Sequence, residues 1–357
     1  MPDTRLILHI VSFQYQQTTL KSALYFNFII LKMMIKHKLA IILLSSISLA
    51  ACAKPTSSAN QKALSPTTKN DLSPEQRKQL QQLLDKTKKN LIFVKGGTYK
   101  MGDFGPEHSI DGLPYDGDGD SKPLHKVTLD DFYLSATKTT YADFDIYTEV
   151  TGQKAVGDFN EITQKYRIPT SAAGINWQQA RNYCQWLGTQ LNLKMDLPTE
   201  AQWEYAARNR GQNILYATDN GKIDNGRNVW SFEQRQQSQD KFKVYKNISE
   251  LQKYPATPLG FYDIVTDNLE WMLDWYDPEY YSKSPEKTPQ GPKTGTLKVV
   301  RSMLPSDGQS LKVFNGKTMQ RHAIDPVADP ELVKDSKDQK YYFDFNLNNS
   351  VRCAANP

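Results

Sequence analysis

LPTEAQWEYAAR, residues 197–208, is the stretch on which the fold turns. Thr199 is placed to accept the N–H of Gln202 while the Gln202 side chain reaches back, the reciprocal pattern of a capping box. Pro198 before the cap and Trp203 one turn later supply a hydrophobic staple that fixes the angle of the chain. Trp203, Ala206 and Ala207 share the inward face, and Gly211, closing the NRG that follows, ends the helix. So short a helix, so firmly capped and pinned by aromatics, is a scaffold element. By itself it names no chemistry.

Working outward, Asn176 caps a second helix, on which Trp177, Ala180, Tyr183, Cys184 and Leu187 form one apolar stripe. Upstream, HKVTLDDFYLS (125–135) alternates as a strand does, and Tyr141, Phe144 and Tyr147 recur at helical spacing. LIFVKGGTYKMGD (91–103) reads as a strand, a Gly96-Gly97 turn and a second strand ending at Gly102. In DGLPYDGDGDSK (111–122), Asp116, Asp118 and Asp120 copy the first acidic spacings of a calcium loop. The twelfth position, where a Glu is required, is Val127, so a solvated acidic loop is expected. In DWYDPEYYSKSPEKTPQGP (274–292), Asp274, Trp275 and Tyr276 are expected to plug the core. Tyr280 and Tyr281 are either exposed recognition aromatics or part of a cover over that core.

The 357 residues carry a formal charge of +5, with 44 Lys and Arg against 39 acids. Five of those bases and one of those acids lie in residues 1–51, so 39 and 38 remain in the rest. A nearly neutral body argues against nucleic acid as a partner. The excess belongs to an address segment. MIKHKLAIILLSSISLAAC (34–52) has a basic start at Lys36 and Lys38 and an apolar run from Leu39 to Leu49. Small residues then lead into Cys52, the pattern of a bacterial lipoprotein signal. Cys52 is the expected lipidation site, and Ala53 after it favours the outer membrane, facing the periplasm. Translation is expected to begin at Met33 or Met34, which makes the upstream part of residues 1–51 an overcall of the gene start. Residues 52–72, rich in Ser, Thr, Pro and Lys, read as a flexible tether. Ser73 followed by Pro74 opens a short helix over 73–90, and residues 91–357 form the domain.

The order of segments across residues 91–357 resembles the formylglycine-generating enzyme and sulfatase-modifying-factor family. The resemblance rests on FVKGGTYKMGD, HKVTLDDFYLS, INWQQARNYCQWLG, LPTEAQWEYAAR, PLGFYDIVTDNLEWMLDWYDPEYY, KVVR and VRCAA. It implies an α+β fold, an elaborated C-type-lectin-like single domain with little regular secondary structure. It also implies a disulfide between Cys184 and Cys353. In YDIVTDNLEW it implies a structural calcium ion held by Asp263 and Glu270 through their side chains and by Thr266 and Asn268 through their carbonyls. Thr266 and Asp267 replace the Gly-Asn usual in that turn. Asn228 and Val229 in NGRNVW resemble part of a second calcium site whose acidic partner is not recognisable.

The catalytic part of the pattern departs. Active members follow the KVVR-like strand with Gly-Gly-Ser and then two copper-binding cysteines, soft thiolates that select Cu(I). Here Ser302, Met303 and Leu304 stand at those three positions, and no Cys follows before Cys353. The histidines His108, His125 and His322 show no metal-ligand spacing, and NGKT (315–318) lacks the Gly of a phosphate loop, residue 311 being Leu. No copper or iron site is recognised. Ser302, Arg321 and His322 are the candidate residues of a ligand cleft.

The sequence therefore favours a non-catalytic, membrane-tethered protein that binds an envelope partner, a glycan, or a periplasmic toxin that it neutralises as an immunity protein. The alternative is a metal-dependent oxidoreductase of the same family that matures a secreted protein or metabolite.

Overall fold

A computed structural model of the chain describes residues 72–157, 161–244, 248, 250–265, 268–302, 316–327 and 347–357. All of them belong to one compact unit, Leu64–Pro357. The lipidation residue Cys52, the calcium candidate Thr266, and Met303 and Leu304 lie outside the described residues.

Helix α1, Pro74–Asn90, starts from a capping box between Ser73 and Gln76 and buries Leu80, Leu83, Leu84 and Thr87. That stripe packs in a core with Tyr141, Phe144 and Tyr147 of helix α2, Tyr141–Thr151. Lys86 of α1 adds an ion pair to Asp143 at 2.7 Å. Helix α3, Trp177–Leu191, is opened by Asn176 and Gln179 and contributes Trp177, Ala180, Tyr183, Cys184 and Leu187 to the same core. Cys184 is joined to Cys353 there, with Cα atoms 5.4 Å apart and 169 residues between them in sequence.

Among the described residues, ten strands form three small sheets. β1 (Leu91–Val94), β4 (Phe132–Ser135), β10 (Ala354–Asn356) and β5 (Lys194–Asp196) lie side by side in that order. β2 (Gly97–Met101) pairs with β3 (His125–Leu129). β8 (His322–Ile324), β7 (Lys298–Arg301), β6 (Leu269–Trp275) and β9 (Asn349–Ser350) make the third sheet, with β6 and β9 parallel. The Gly96-Gly97 turn thus passes the chain from the first sheet to the second rather than closing a hairpin. A Cβ on Gly96 would sit 2.3 Å from the Leu129 carbonyl, so only glycine permits this passage.

Helix α4, Glu200–Ala207, is the LPTEAQWEYAAR helix. Its Thr199–Gln202 capping box is complete and all eight of its residues are buried. It packs in a second core with Tyr99, Val127, Phe261, Met272 and Val299. Gly211 bends the chain away at φ +78, and a Cβ there would sit 2.3 Å from Tyr99 Cβ. A fifth helix, α5 (Phe232–Phe242), is capped by Ser231 and Gln234. Tyr280 and Tyr281 are buried, with the Tyr281 ring 4.6 Å from that of His125, so they cover the core and present no recognition surface. In Asp274, Trp275 and Tyr276 the deepest member is the aspartate; the two rings are half-buried.

Candidate functional site

One face of α4 carries two carboxylates a turn apart, Glu200 and Glu204, both buried. Buried acids need partners, and three arginines supply them. Arg301 of β7 donates Nη1 to Glu200 at 2.8 Å and Nη2 to Glu204 at 2.9 Å. Arg321, just before β8, grips Glu200 with Nε at 2.8 Å and Nη2 at 3.0 Å. Arg208 reaches Glu204 at 2.9 Å. Burial alone would raise the Glu200 pKa, but Arg321 and Arg301 outweigh it and hold the carboxyl below its ordinary range. The scaffold helix is therefore also the anchor of a buried ion cluster. The capping pattern carried no sign of this role, and the available signal was the four-residue spacing of Glu200 and Glu204 on that helix.

The remaining donor of Arg321, Nη1, turns to the Asp120 carbonyl at 2.8 Å and brings the acidic loop against the cluster. That loop is folded on protein groups. The Asp103 carboxylate accepts from the backbones of Gly105, Tyr115 and Asp116, and Lys122 donates to the carbonyls of Asp116 and Asp118. Asp120 and Tyr276 come together at 2.9 Å, the phenol donating to Oδ2. Beside them opens a cleft of about 580 Å³, lined by Asp118, Asp120, Tyr276, Arg321, His322 and apolar neighbours.

Two atoms on this cleft's residues are buried and meet no hydrogen-bond partner among the described residues, Asp120 Oδ1 and His322 Nε2. Burial pushes the Asp120 pKa up despite the Tyr276 hydrogen bond and the nearby Arg321 charge. Burial, reinforced by Arg301, pushes His322 down and favours the neutral ring. Of the three cleft candidates from the sequence, Arg321 and His322 line the cleft. Ser302 does not: its hydroxyl donates to the Ile264 carbonyl, and its backbone has φ 85, the conformation glycine adopts without cost. Asp120 and Tyr276 were missed as cleft residues, because only the tertiary fold joins positions so far apart in sequence.

The calcium residues behave differently. Glu270 accepts from Arg352 Nε at 2.7 Å and Nη2 at 2.9 Å and from the Trp203 indole at 2.7 Å. The buried Lys138 ammonium stands 3.7 Å from Glu270 and donates to the Asp263 carbonyl at 2.8 Å. Asp263 also accepts the Gln252 N–H at 2.8 Å, and Asn268 donates its side chain to the Leu347 carbonyl. Two cations of the chain already neutralise Glu270, and a divalent ion brought to it would face both. The described donors Asp263, Asn268 and Glu270 are engaged within the chain, and Thr266 lies outside the described residues. Asn228 likewise accepts from the Asp224 N–H and donates to Asp219, and the Val229 carbonyl accepts from Gly226. Arg227 pairs with both Asp219 and Asp224, so this turn too is closed by the chain itself. Among the described residues, no group of three or more His, Cys, Asp or Glu is arranged to hold a metal ion.

Comparison with known proteins agrees with the fold. The sulfatase-modifying factor enzyme 1-like domain matches residues 76–356. The serine/threonine-protein kinase pkn1 of Chlamydia caviae is 27% identical over 229 residues, covering 59% of this chain but 32% of the kinase, so the chain spans about a third of that relative. The formylglycine-generating enzyme of Streptomyces coelicolor is 27% identical over 257 residues, 59% of this chain and 76% of the enzyme. The inactive C-alpha-formylglycine-generating enzyme 2 of Bos taurus is 25% identical over 233 residues, 52% of this chain and 71% of that protein. Among solved structures, PvdO from Pseudomonas aeruginosa superposes with a TM-score of 0.53 at 19% identity, covering 75% of this chain and 94% of PvdO. The chain belongs to the sulfatase-modifying factor enzyme 1-like family.

Proposed function

We propose that this protein is a non-catalytic binding member of its family, held at the outer membrane through Cys52 and facing the periplasm. In this reading it recognises an envelope protein or neutralises a periplasmic toxin as an immunity protein. The observation that carries it is the cleft beside α4, where buried Asp120 Oδ1 and His322 Nε2 await donors or acceptors that the described chain does not supply. The cysteine inventory supports it. Of three cysteines, Cys184 and Cys353 are joined to each other and Cys52 lies in the address segment, which leaves the domain no thiol pair for copper. A relative named as inactive shows that membership does not by itself imply oxidase chemistry.

The test has two arms. The full-length chain, incubated with a Cys-containing sulfatase peptide, oxygen and copper, is expected to leave the peptide mass unchanged; conversion of Cys to formylglycine contradicts the reading. Capture from envelope fractions with the wild-type chain is expected to return one stoichiometric partner, and stoichiometric copper or iron in the purified protein with no partner would favour the oxidoreductase instead.

A further inference from the structure

We propose that the cleft takes a primary ammonium group at the end of an alkyl stem, presented by a lysine side chain of the partner. The inference rests on the binding reading above and names the chemistry of its recognition element. Asp120 is more than nine-tenths buried, and its Oδ2 is fixed by the Tyr276 phenol, which leaves Oδ1 as an acceptor without a donor. A carboxylate removed from water and short of donors is costly, and a ligand that brings both N–H groups and positive charge restores what burial took away. A neutral hydroxyl restores only the hydrogen bond.

The charge lining the cleft points the same way. Arg321 is the cation nearest the opening, but Glu200 holds it through two oxygens. Asp118 and Asp120 are then the charges left facing a ligand, with His322 held towards neutrality. In its Nδ1–H tautomer the neutral His322 ring accepts at Nε2, a second acceptor on the cleft's lining residues beside Asp120 Oδ1, and an ammonium brings three donors.

Shape separates an alkyl ammonium from a sugar. Both unpartnered atoms are buried, so the donor must arrive on a slender stem and not on the edge of a ring. Leu269, Pro278, Ala323 and Ile324 line the same cleft and give a methylene stem an apolar wall.

The full-length chain is titrated with N-α-acetyl-lysine methylamide, with its norleucine counterpart, which keeps the stem and loses the charge, and with a methyl glucoside. The lysine probe is expected to bind about tenfold or more tightly than norleucine, about 1.4 kcal/mol. Asp120→Asn, which keeps an acceptor for Tyr276, is expected to erase that preference while the melting temperature holds. Should Asp120→Asn fail to fold, His322→Gln is expected to weaken the lysine probe in its place. Equal binding of lysine and norleucine, undiminished binding by the variant, or binding of the glucoside alone overturns the proposal. The capture experiment separates the two levels. A partner retained equally by wild type and Asp120→Asn refutes the ammonium assignment but leaves the binding reading intact. Lysine-probe binding with no partner captured upholds the cleft chemistry and removes the envelope-partner reading.

Discussion

Two buried carboxylates, Glu270 and Asp120, lie on the same domain and differ in what surrounds them. Glu270 is served by Arg352 on two edges, by the Trp203 indole and by the Lys138 ammonium. Asp120 has one phenol on Oδ2 and nothing on Oδ1 among the described residues. The first arrangement ties together β4, β6, α4 and the C-terminal segment, because Arg352 also donates to the carbonyls of Ser135, Ala136 and Tyr262. A carboxylate closed in this way is architecture. One left short of donors beside an open cleft is available to something else.

The largest effects belong to the closed side. Replacing Cys184 and Cys353 with Ser releases a loop of 169 residues and is expected to cost up to about 5 kcal/mol in the chain-entropy account. Urea denaturation reads this directly, and an unchanged midpoint would mean that the helices and sheets hold the C-terminal segment without the bridge. Glu270→Gln leaves Arg352 and Lys138 without a counter-charge and is expected to cost about 3–5 kcal/mol. The contrast sharpens with Asp120→Asn, which removes an underserved charge and is expected to change stability by less than about 1 kcal/mol, in either direction. If the two substitutions cost the same, the distinction between closed and open carboxylates fails. Because Arg352 and Lys138 already face Glu270, addition of calcium or of a chelator is expected to leave the melting temperature of the wild-type protein unmoved. A calcium-dependent rise would place the ion in an arrangement of Asp263 and Glu270 other than the one described.

A pH series probes two further buried groups, Lys298 and Asp274. Lys298 lies between the rings of Trp177 and Trp275, 4.0 and 3.7 Å from their centroids, and donates to the Leu273 carbonyl at 2.8 Å. Burial lowers its pKa from 10.5 to about 8, against the pull of Asp274. Asp274, buried and close to the Glu200 charge, is raised from 3.8 to about 7. The unfolded chain binds the Lys298 proton more tightly, so the contribution of Lys298 to stability is full above 10.5 and lost as pH falls through 8. The folded chain binds the Asp274 proton more tightly, so that contribution is full below 3.8 and lost as pH rises through 7. Together they place a shallow minimum between pH 7 and 8 on this pair's contribution. Lys298→Met is expected to flatten the alkaline limb of denaturation midpoints measured across pH, and Asp274→Asn the acid limb. At the capping box, Thr199→Ala is expected to cost about 1 kcal/mol by loss of one helix-end hydrogen bond, read from the same denaturation midpoints.

Much of the scaffold was legible because it is written in local rules. The capping boxes at Asn176 and Thr199 and the stripe from Trp177 to Leu187 each act within a few residues, whereas the alternation read over 125–135 divides into β3 and β4 of two different sheets. The cleft was legible only by halves. Arg321 and His322 stood out as a charged pair after a missing motif, but Asp120 lies 201 residues from Arg321 and reaches it through a carbonyl. The calcium expectation shows the complementary limit. Asp263 and Glu270 have the right chemistry for an oxygen site, and what engages Glu270 is Arg352 with Lys138 beside it, cations that reach it only once β4 and β6 have been placed in the fold. Burial also reversed the meaning of Tyr280 and Tyr281, since nothing in YY distinguishes a core cover from an exposed patch.

The most direct test of the central claim is partner capture from envelope fractions with three full-length chains side by side: wild type, Asp120→Asn and Glu200→Gln. The first is expected to retain a stoichiometric partner, the second to lose it while keeping the wild-type melting temperature, and the third to lose both partner and stability, because Arg301 and Arg321 lose their shared counter-charge. Retention of the same partner by a folded Asp120→Asn chain would contradict the assignment of function to the open carboxylate.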